Sequence, residues 1–371
     1  MKLVIQREQL LKPLQLVSGA IERRQTFPIL SNVLISAHNR IVSMTATDLE
    51  IELTGYIELE EEISDSGEVT VSARKLLDIC RTLPEGAIIK LSTEKNRLSI
   101  RSGESHFTLL TLPASEFPNV EEGPEKTEWT LPQQVLKNLL EKTYFAMAQQ
   151  DVRYYLNGML LDIQPHAIRV VATDGHRLAM GVSSAIAAVV DSKESLQVIM
   201  PRKGVIELMR LLDKTDEIAT LKVGTNHLCV KSAGFTFISK LVEGKFPNYD
   251  KVVPKNSDKE IICDRQLLKQ ALTRVSILSN EKFRGVRLCF ASHRLDMSAN
   301  NPEQEEAQEQ MTVDYEGADL EVGFNVNYLL DICNIMSGDQ LRMMLSDPNS
   351  ALLIEPMAEE GFSYVIMPMR L

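Results

Sequence analysis

One amphipathic pattern occurs three times along the chain at helical spacing. The sequence Leu-Leu-Asp-Ile-Cys fills residues 76–80 and again residues 329–333. Each copy starts a run of apolar residues at i, i+3, i+4 and i+7, which is the spacing of one buried face of an α-helix. Residues 205–212 have the same spacing with different side chains. The pattern therefore predicts three related helices.

The surroundings of these helices repeat as well. A second helix with a lysine inside an apolar run precedes each of them, at residues 9–12, 134–137 and 266–269. Strand-like stretches between the two helices lead into Thr47, Thr173 and Asn300, which are 126 and 127 residues apart. The repeating unit is therefore about a third of the 371-residue chain, far longer than the unit of a solenoid.

This period predicts three tandem domains, because a unit of that size can bury its own core. The predicted domain bounds are 1–124, 125–253 and 254–371, with turn-rich or polar sequence at both junctions. Strand-like stretches outnumber helices in every unit. We therefore expect an α+β fold in which each domain has two helices on one face of a mainly antiparallel sheet.

Composition narrows the class of protein. The hydrophobic fraction of 44% and the charged fraction of 25% are ordinary for a globular protein. The sequence has no run of 18 apolar residues, and its N-terminus becomes polar too early for a signal peptide. Five cysteines without a CxxC pair predict neither a disulfide framework nor a zinc site. We expect a cytoplasmic protein without a metal or a cofactor.

Charge is unevenly distributed between the predicted helices and the rest of the chain. The formal net charge is −11, which argues against a protein that simply coats nucleic acid. The predicted helices nevertheless contain 13 Lys or Arg and 7 Asp or Glu, within residues 6–18, 72–82, 133–148, 202–213, 264–278 and 325–337. This distribution fits a basic surface on an acidic body, and it also fits basic residues scattered over solvated helix faces.

Six runs of the sequence carry a family resemblance: QDVRYYLNGM at 150–159, ATDGHRLA at 172–179, PRKGVIELMR at 201–210, LSNEKFRGVR at 278–287, NNPEQEE at 300–306 and MPMRL at 367–371. They resemble the bacterial sliding-clamp family, the β subunit of DNA polymerase III. The resemblance covers the whole chain in order. The three-domain architecture of that family agrees with the repeat.

The resemblance implies a homodimeric ring that encircles double-stranded DNA and tethers the replicative polymerase for processive synthesis. The helices would face the hole, where basic side chains attract phosphates without reading bases. A processivity factor of this kind catalyses no reaction of its own. The residues implied for DNA binding are Arg24, Arg74, Arg81, Gln150, Tyr154, Tyr155, Arg202, Lys203, Lys282 and Arg284.

The resemblance also implies a shallow pocket between the second and third domains. It would receive short linear peptides from the replicative polymerase, the clamp loader and repair proteins. Methionine and leucine make such a surface adaptable to many peptides. The residues implied for the pocket are Arg153, Leu156, Thr173, Gly175, His176, Arg177, Leu178, Pro247, Val252, Asn325, Tyr328, Met367, Pro368, Met369 and Arg370.

The dimer interface implied by the resemblance pairs the last strand region of the first domain with the third domain of the partner. Its residues would be Lys75, Arg97, Phe107, Leu109, Ile277, Leu278, Glu303, Glu305 and Glu306. Residues 302–310 taken alone suggest a Glu-rich surface helix, but the family has a strand there, and we expect the strand. Glu104 and His106 replace arginines of better-known relatives, which predicts fewer ionic contacts between protomers.

Two other functions are open to this sequence. Asp174 could orient His176 as a catalytic base, but no nucleophile motif, phosphate-binding loop or metal-ligand spacing accompanies the pair. The equivalent residues 47–50 contain no histidine, so we expect a structural turn and no enzyme. The second alternative is a clamp-like peptide-binding scaffold that never encloses DNA, and its behaviour on DNA would not depend on topology.

Overall fold

The computed structural model describes residues 1–21, 27–119, 127–189, 195–255 and 257–370. The α-helices in these residues are α1 Arg7–Val17, α2 Ala73–Thr82, α3 Gln133–Glu141, α4 Arg202–Leu211, α5 Arg265–Ser276 and α6 Val326–Ile335. The strands are β1 Lys2–Gln6, β2 Asn32–His38, β3 Ile41–Thr47, β4 Ile51–Glu58, β5 Gly67–Ser72, β6 Ile88–Glu94, β7 Arg97–Ser102, β8 Ser105–Leu112, β9 Thr127–Pro132, β10 Gly158–Gln164, β11 Ala167–Thr173, β12 Arg177–Ser183, β13 Ala187–Ala188, β14 Leu196–Pro201, β15 Ile218–Val223, β16 His227–Ser232, β17 Phe235–Lys240, β18 Lys259–Asp264, β19 Gly285–Ala291, β20 Arg294–Asn300, β21 Glu306–Thr312, β22 Leu320–Asn325, β23 Gln340–Leu345, β24 Leu352–Pro356 and β25 Phe362–Ile366.

The chain divides into two compact units. The first is formed by Met1–Gln134, Ala187–Ser192 and Ile206–Leu241. Its strands form one antiparallel sheet in the order β1-β6-β7-β8-β5-β2-β3-β4-β17-β16-β15-β9-β13. Along β4, Ile51 and Leu53 are buried and alternate with more exposed residues, as expected for a strand with one face on a core. Helix α1 packs against α2 and β4 and buries Leu10 and Leu14.

The second unit is formed by Val135–Ile186, Lys193–Val205 and Val242–Leu371. It contains an eight-stranded sheet in the order β14-β10-β11-β12-β25-β24-β23-β18 and a four-stranded sheet in the order β21-β20-β19-β22. Helix α5 packs against α6 and across β20 and β21. Leu268 and Leu272 of α5 and Leu329 of α6 are buried, so the amphipathic pattern that repeats in the sequence faces a core.

Each unit joins strands from two successive repeats. In the first unit β4 pairs with β17, and Ile51 lies opposite Ser239. In the second unit β12 pairs with β25, and Arg177 lies opposite Ile366. We call such a strand pair an inter-repeat joint. Because the joints are backbone ladders, the sheets continue from one repeat into the next.

The structure confirms the predicted α+β class, with antiparallel sheets and two helices in each repeat. Helix α3 is shorter than predicted, because it ends at Glu141 and not at residue 148. The amide of Thr143 bonds three residues back, to Leu140, so the backbone tightens there into a 3₁₀ turn at Tyr144–Ala146. Residues 306–312 form the strand that the family resemblance implies, and not a surface helix.

None of the helices in the described part of the chain is long and apolar enough to cross a membrane. The predicted domain boundary after residue 124 falls outside the described residues.

Candidate functional site

A cavity of about 210 Å³ in the second unit is the first candidate site. It is lined by Arg153, Tyr155, Leu156, Thr173, Gly175, Arg177, Leu178, Pro247, Tyr249, Val252, Val365 and Met367. Nine of these residues are among those that the resemblance implies for the peptide pocket. The cavity is mainly apolar, and two guanidinium groups are its strongest charges.

The turn between β11 and β12 forms one wall of this cavity. The hydroxyl of Thr173 donates to the carbonyl oxygen of Arg177 over 2.6 Å and accepts the amide of Gly175 at 3.1 Å. The carboxylate of Asp174 accepts the amides of His176 at 2.9 Å and Arg177 at 3.0 Å. The Thr-Asp-Gly-His sequence therefore encodes a turn, since its carboxylate is engaged by backbone amides and not by the imidazole.

Arg153 is fixed at the cavity by Asp151. Its Nε and Nη2 donate to the two carboxylate oxygens over 3.0 and 2.9 Å, and these hydrogen bonds lower the pKa of Asp151 to about 2. Gly175 has φ of +89°, and a Cβ there would lie 3.0 Å from Nη2 of Arg153. Glycine suits this position because it allows both the left-handed backbone and the close guanidinium.

Arg177 is held on several sides. Its Nε lies 3.1 Å from Asp174 Oδ2, its Nη1 donates to Asp331 Oδ2 over 2.5 Å, and its Nη2 donates to the carbonyl oxygen of Phe145 over 2.8 Å. The guanidinium carbon also lies 4.5 Å from the ring centroid of Tyr328. Burial raises the pKa of Tyr328, so this ring stays neutral. Arg177 thus presents a positive charge in one fixed orientation.

Tyr249 supports the cavity through a buried polar network. Its hydroxyl donates to Asp162 Oδ2 over 2.7 Å and accepts from Nη1 of Arg169 at 3.0 Å. Burial, followed by the hydrogen bond to Asp162, raises the pKa of Tyr249 to about 12. Its ring joins a buried apolar cluster with Leu160, Val171, Leu178, Ile199, Phe246, Leu353 and Val365. The cavity therefore lies on a well-packed base.

Six residues implied for the pocket do not line this cavity. They are His176, Asn325, Tyr328, Pro368, Met369 and Arg370. His176 is exposed, and its carbonyl oxygen accepts the amide of Met367 at 2.9 Å. The ring of Tyr328 contacts the guanidinium of Arg177 but does not line the cavity, and Asn325 caps the N-terminus of α6. Met369 and Arg370 line a separate cavity in the third repeat.

Three lining residues were not predicted for the pocket. Tyr155 was assigned to DNA binding, and Tyr249 and Val365 were not singled out. A signal for Val365 was present, since it stands two residues before Met367 and alternate residues of a strand share a face. Tyr249 follows Pro247 by two residues, but its contacts depend on Asp162 and Arg169, which are distant in sequence.

The residues predicted to bind DNA are mostly at accessible positions. Arg24 lies outside the described residues. In the first unit Arg74 and Arg81 are exposed on α2, and Nε of Arg74 lies 3.9 Å from Asp78. An exposed pair at this distance is weak, so the guanidinium is available to a phosphate.

The second unit contains the other predicted DNA residues. Tyr154 is exposed, and its ring meets Tyr155 edge to face, with centroids 5.9 Å apart. Lys203 is exposed on α4, whereas Arg202 is half-buried. The remaining positions are Gln150, with φ of +57° in an exposed loop, Lys282, which is exposed, and Arg284, which donates to Ser276 and Ser279.

The residues predicted for the dimer interface are all exposed or half-buried in the single chain. Lys75, Arg97, Ile277, Glu303, Glu305 and Glu306 are exposed, and Phe107, Leu109 and Leu278 are half-buried. Ile277 is 73% exposed at the end of α5. Leu110, which was not predicted, is 75% exposed on β8. Both are large apolar side chains at accessible positions, where they are available for contact with another molecule.

The triplicated α+β fold, with sheets continued through inter-repeat joints, defines a clamp-type protein. Three family models match the chain in order: the N-terminal domain of the DNA polymerase III beta subunit at residues 1–121, its central domain at 130–248 and its C-terminal domain at 250–370. The chain belongs to the DNA polymerase III beta subunit family. Its function is that of a DNA sliding clamp, a non-catalytic processivity factor.

Close relatives match over their full length. The chain is 52% identical to the beta sliding clamp of Pseudomonas putida and 50% identical to that of Escherichia coli, with 100% of each sequence covered. It superposes on crystal structures of Pseudomonas aeruginosa clamps with a TM-score of 0.96: one of the polymerase III subunit beta at 50% identity and one bound to griselimycin at 51%. Each pair is covered completely.

Proposed function

We propose that two copies of the chain close head to tail into a ring around double-stranded DNA. The ring tethers the replicative polymerase and other partners, which bind the 210 Å³ cavity through short linear peptides. We expect it to act in the cytoplasm. The proposed domains are 1–124, 125–253 and 254–371, and the ranges matched by the family models support these limits.

The two inter-repeat joints within the chain carry this proposal, because they share one register. Ile51 and Arg177 are equivalent in the repeat, because each directly precedes the residue that lies opposite the threonine ending the preceding strand, Glu52 opposite Thr47 and Leu178 opposite Thr173. Ser239 and Ile366 are equivalent as well, because they face Leu228 and Leu352 in their own hairpins. The pairs Ile51–Ser239 and Arg177–Ile366 are therefore the same contact used twice.

Strands β21 and β8 are the third copies of the two joint strands, and each has an edge that is wholly or partly unpaired among the described strands. Strand β21 is at the edge of its four-stranded sheet, so among the described strands it pairs only with β20. Strand β8 pairs with β7 along its length but with β5 only through Thr111 and Leu112. Glu306 lies opposite Asn300, so Glu305 is the counterpart of Arg177, and Leu109, which lies opposite Leu98, is the counterpart of Ile366. If β21 and the partner's β8 meet in the register of the other joints, Glu305 lies opposite Leu109 and Ala307 opposite Phe107.

The proposed pairing brings apolar groups together on the helix side of the sheet. Phe107 and Leu109 share one face of β8, because alternate residues point the same way. In this register Glu309 of the other chain lies on the same face as Phe107 and Leu109. Arg274 of α5 binds Glu309 through two hydrogen bonds of 2.6 and 2.9 Å. Ile277 follows at the end of the same helix and would cover Phe107 and Leu109.

Closure after two protomers needs only one type of interface, used twice. Six domains with two helices each, at ~10 Å spacing, give a circumference of roughly 120 Å and a hole wider than a B-form duplex. Arg74, Arg81 and Lys203 are exposed on helices and can attract phosphates through water. Retention on DNA then comes from topology and not from tight binding.

The cavity favours a peptide with apolar side chains. Leu156, Leu178 and Val365 give it an apolar base, and Met367 is a flexible side chain that can adapt to different anchors. Arg153 and Arg177 are fixed at the cavity by carboxylates and can orient the peptide backbone or an acidic side chain.

The test is retention on DNA of defined topology. The protein is loaded onto a nicked circle by a clamp loader, isolated by gel filtration, and the circle is then cut once. We expect release within minutes of cutting, and retention when both new ends carry bulky protein blocks. Equal retention on open linear and circular DNA would contradict the ring and would favour the peptide-binding scaffold that does not enclose DNA.

A further inference from the structure

A second cavity, of about 750 Å³, occupies the place in the third repeat that the peptide pocket occupies in the second. Phe283 lines it where Leu156 lines the peptide pocket, two residues before Gly285 and Gly158 respectively. Asn300 ends β20 as Thr173 ends β11. The two cavities are therefore equivalent positions of one repeated structure.

The sheet face beneath the second cavity is polar. Adjacent strands place Arg287, Ser298 and Gln308 in one row. The equivalent row of the second repeat is Leu160, Val171 and Met180. In the neighbouring row Glu306 takes the place of Leu178. The third repeat thus has a cavity at the same position as the second, with hydrogen-bonding groups in place of the apolar base.

The second cavity lacks one wall in the single chain. In the peptide pocket that wall is β25, where Val365 lies opposite Leu178 and Met367 follows two residues later. In the proposed protomer joint the partner's Thr108 lies opposite Glu306. The partner's Leu110 then stands where Met367 stands in the peptide pocket. Leu110 is 75% exposed in the single chain and Met367 is 42% exposed, so both offer an apolar surface.

The chemistry of the lining indicates an uncharged ligand. The lining includes the polar side chains of Ser298, Asn300 and Gln308, and carboxamides can both donate to and accept from peptide groups. Arg287 is neutralised by Glu321 at 2.6 Å. Arg370 and Glu306 line the cavity with opposite charges. The surrounding residues 303–321 contain eight Asp or Glu and no Lys or Arg, which disfavours phosphates and acidic peptides.

We propose that each protomer joint of the ring contains a second peptide-binding site, built by the third repeat and completed by the partner's Leu110. It binds a short uncharged peptide segment, with one apolar side chain held between Phe283 and Leu110 and its backbone bonded by Asn300 and Gln308. The proposal rests on the proposed dimer, because one wall belongs to the partner.

Two methionines of the C-terminal segment can report on the two sites separately. Met367 lines the peptide pocket and Met369 lines the second cavity. The full-length protein, labelled with ¹³C at methionine methyls, is titrated with acetyl-Gln-Gln-Leu-Gln-amide and with acetyl-Glu-Glu-Leu-Glu-amide as the matched acidic probe. We expect a saturable shift of the Met369 methyl with the neutral probe, and at least fivefold weaker binding of the acidic probe.

Two variants test the contribution of the partner. Leu110→Ser should weaken binding at Met369 at least threefold and leave the Met367 response unchanged. Leu109→Asp, which should be monomeric, should lose the Met369 response and keep that of Met367. Full binding at Met369 in either variant would overturn the partner wall.

Native mass spectrometry of the same samples separates failure of this site from failure of the dimer. A dimer without a saturable Met369 shift would reject the second site and leave the ring intact. A wild-type protein that is monomeric at all concentrations would reject the dimer, and the second site with it. A shift that is equal for the neutral and acidic probes would reject the assigned ligand class.

Discussion

The peptide pocket and the open edge of β21 are built on the same repeat but differ in how they are completed. At the pocket, β25 of the same chain pairs with β12 and buries Val365 in an apolar cluster. At the open edge most of the equivalent residues of β21 and β8 are exposed or half-buried. One region is completed within the chain, and in the proposed ring the other is completed by a second copy.

The open edge of β21 carries acidic side chains. An unpaired strand is a template for aggregation, and charged side chains suppress it. Strand β21 begins with Glu306 and also contains Glu309, whereas the equivalent β12 contains Leu178 and Met180. In the proposed ring these charges would disfavour aggregation of the strand before assembly and still allow one specific pairing. Changes in the proposed joint and changes in the peptide pocket should therefore have separate effects.

The largest effect is expected from Leu109→Asp at the open edge. This change would bury an unpaired carboxylate in the proposed joint, at a cost of several kcal/mol, so the dimer dissociation constant should rise at least ~100-fold. Native mass spectrometry over a dilution series measures it. Val4→Asp, on an exposed residue of β1 (60% exposed), is the matched control and should remain dimeric. A Leu109→Asp protein that stays dimeric at low micromolar concentration would mean that the joint lies elsewhere.

Removal of residues 367–371 should disrupt the peptide pocket and not the proposed joint. It deletes Met367 from the pocket and, among the backbone hydrogen bonds of the described residues, those donated by the amides of Met367 and Met369. The dimer should persist, while affinity for a labelled Gln-Leu-x-Leu-Phe-type peptide, measured by fluorescence anisotropy, should fall at least ~10-fold because anchors dominate such sites.

Two point variants show which of the deleted methionines contributes to peptide binding. Met367→Ala should reproduce most of the loss, and Met369→Ala should have little effect because Met369 lines the other cavity. Unchanged peptide affinity after truncation would place the peptide site elsewhere and would remove Leu156 and Pro247 from it.

A smaller effect is expected from Asp331→Asn, which weakens the support of Arg177. The carboxylate of Asp331 is partly solvent-exposed, so the pair contributes about 1 kcal/mol or less, and peptide affinity should fall about two- to fivefold. Asp78→Asn is the control, since Asp78 occupies the same position in the repeated Leu-Leu-Asp-Ile-Cys run but lies 3.9 Å from exposed Arg74. An equal effect of both changes would show that the Arg177 contact is unimportant.

The smallest effect concerns the acid behaviour of the pocket. Because Arg153 lowers the pKa of Asp151 to about 2, the charged pair should be fully present above the usual carboxyl pKa of ~3.8 and should be lost only as pH falls through about 2. The Arg153 Nε–H resonance should therefore be unchanged between pH 7 and pH 4. Asp151→Asn should shift it at neutral pH. A wild-type transition near pH 4 would contradict the assigned pair.

Much of the fold was accessible from sequence because the repeat made three weak patterns support one another. The shared Leu-Leu-Asp-Ile-Cys run identified α2 and α6, and burial of Leu76 and Leu329 explains why the same spacing recurs within the chain. The end of α3 was missed because the tightening at Thr143 depends on local backbone geometry and not on an apolar pattern. Residues 306–312 were assigned as a strand only through the resemblance, since their many glutamates suit a helix equally well.

The pocket was predictable where one turn carries several of its residues and less so where distant residues meet. Thr173, Gly175 and Arg177 belong to a single turn motif. The network of Tyr249 with Asp162 and Arg169 joins residues up to 87 positions apart, so no local sequence pattern predicts it. The division of the C-terminal segment between two cavities likewise depends on strand packing.

The central claim, that the open edges join two copies in the register of the internal joints, can be tested by a disulfide. A chain carrying Thr108→Cys and Glu306→Cys would place the new thiols directly opposite each other across the joint, with Cβ atoms ~4.5–5.5 Å apart and close to disulfide geometry. A chain carrying Thr108→Cys and Gln310→Cys is the control, because its thiols are four residues out of register. Mild oxidation followed by denaturing electrophoresis and mass spectrometry reads the products. We expect the first chain to give a covalent dimer in which two intermolecular disulfides join position 108 of each protomer to position 306 of the other, and we expect none from the control. Equal cross-linking of both chains, or of the control alone, would contradict the proposed joint.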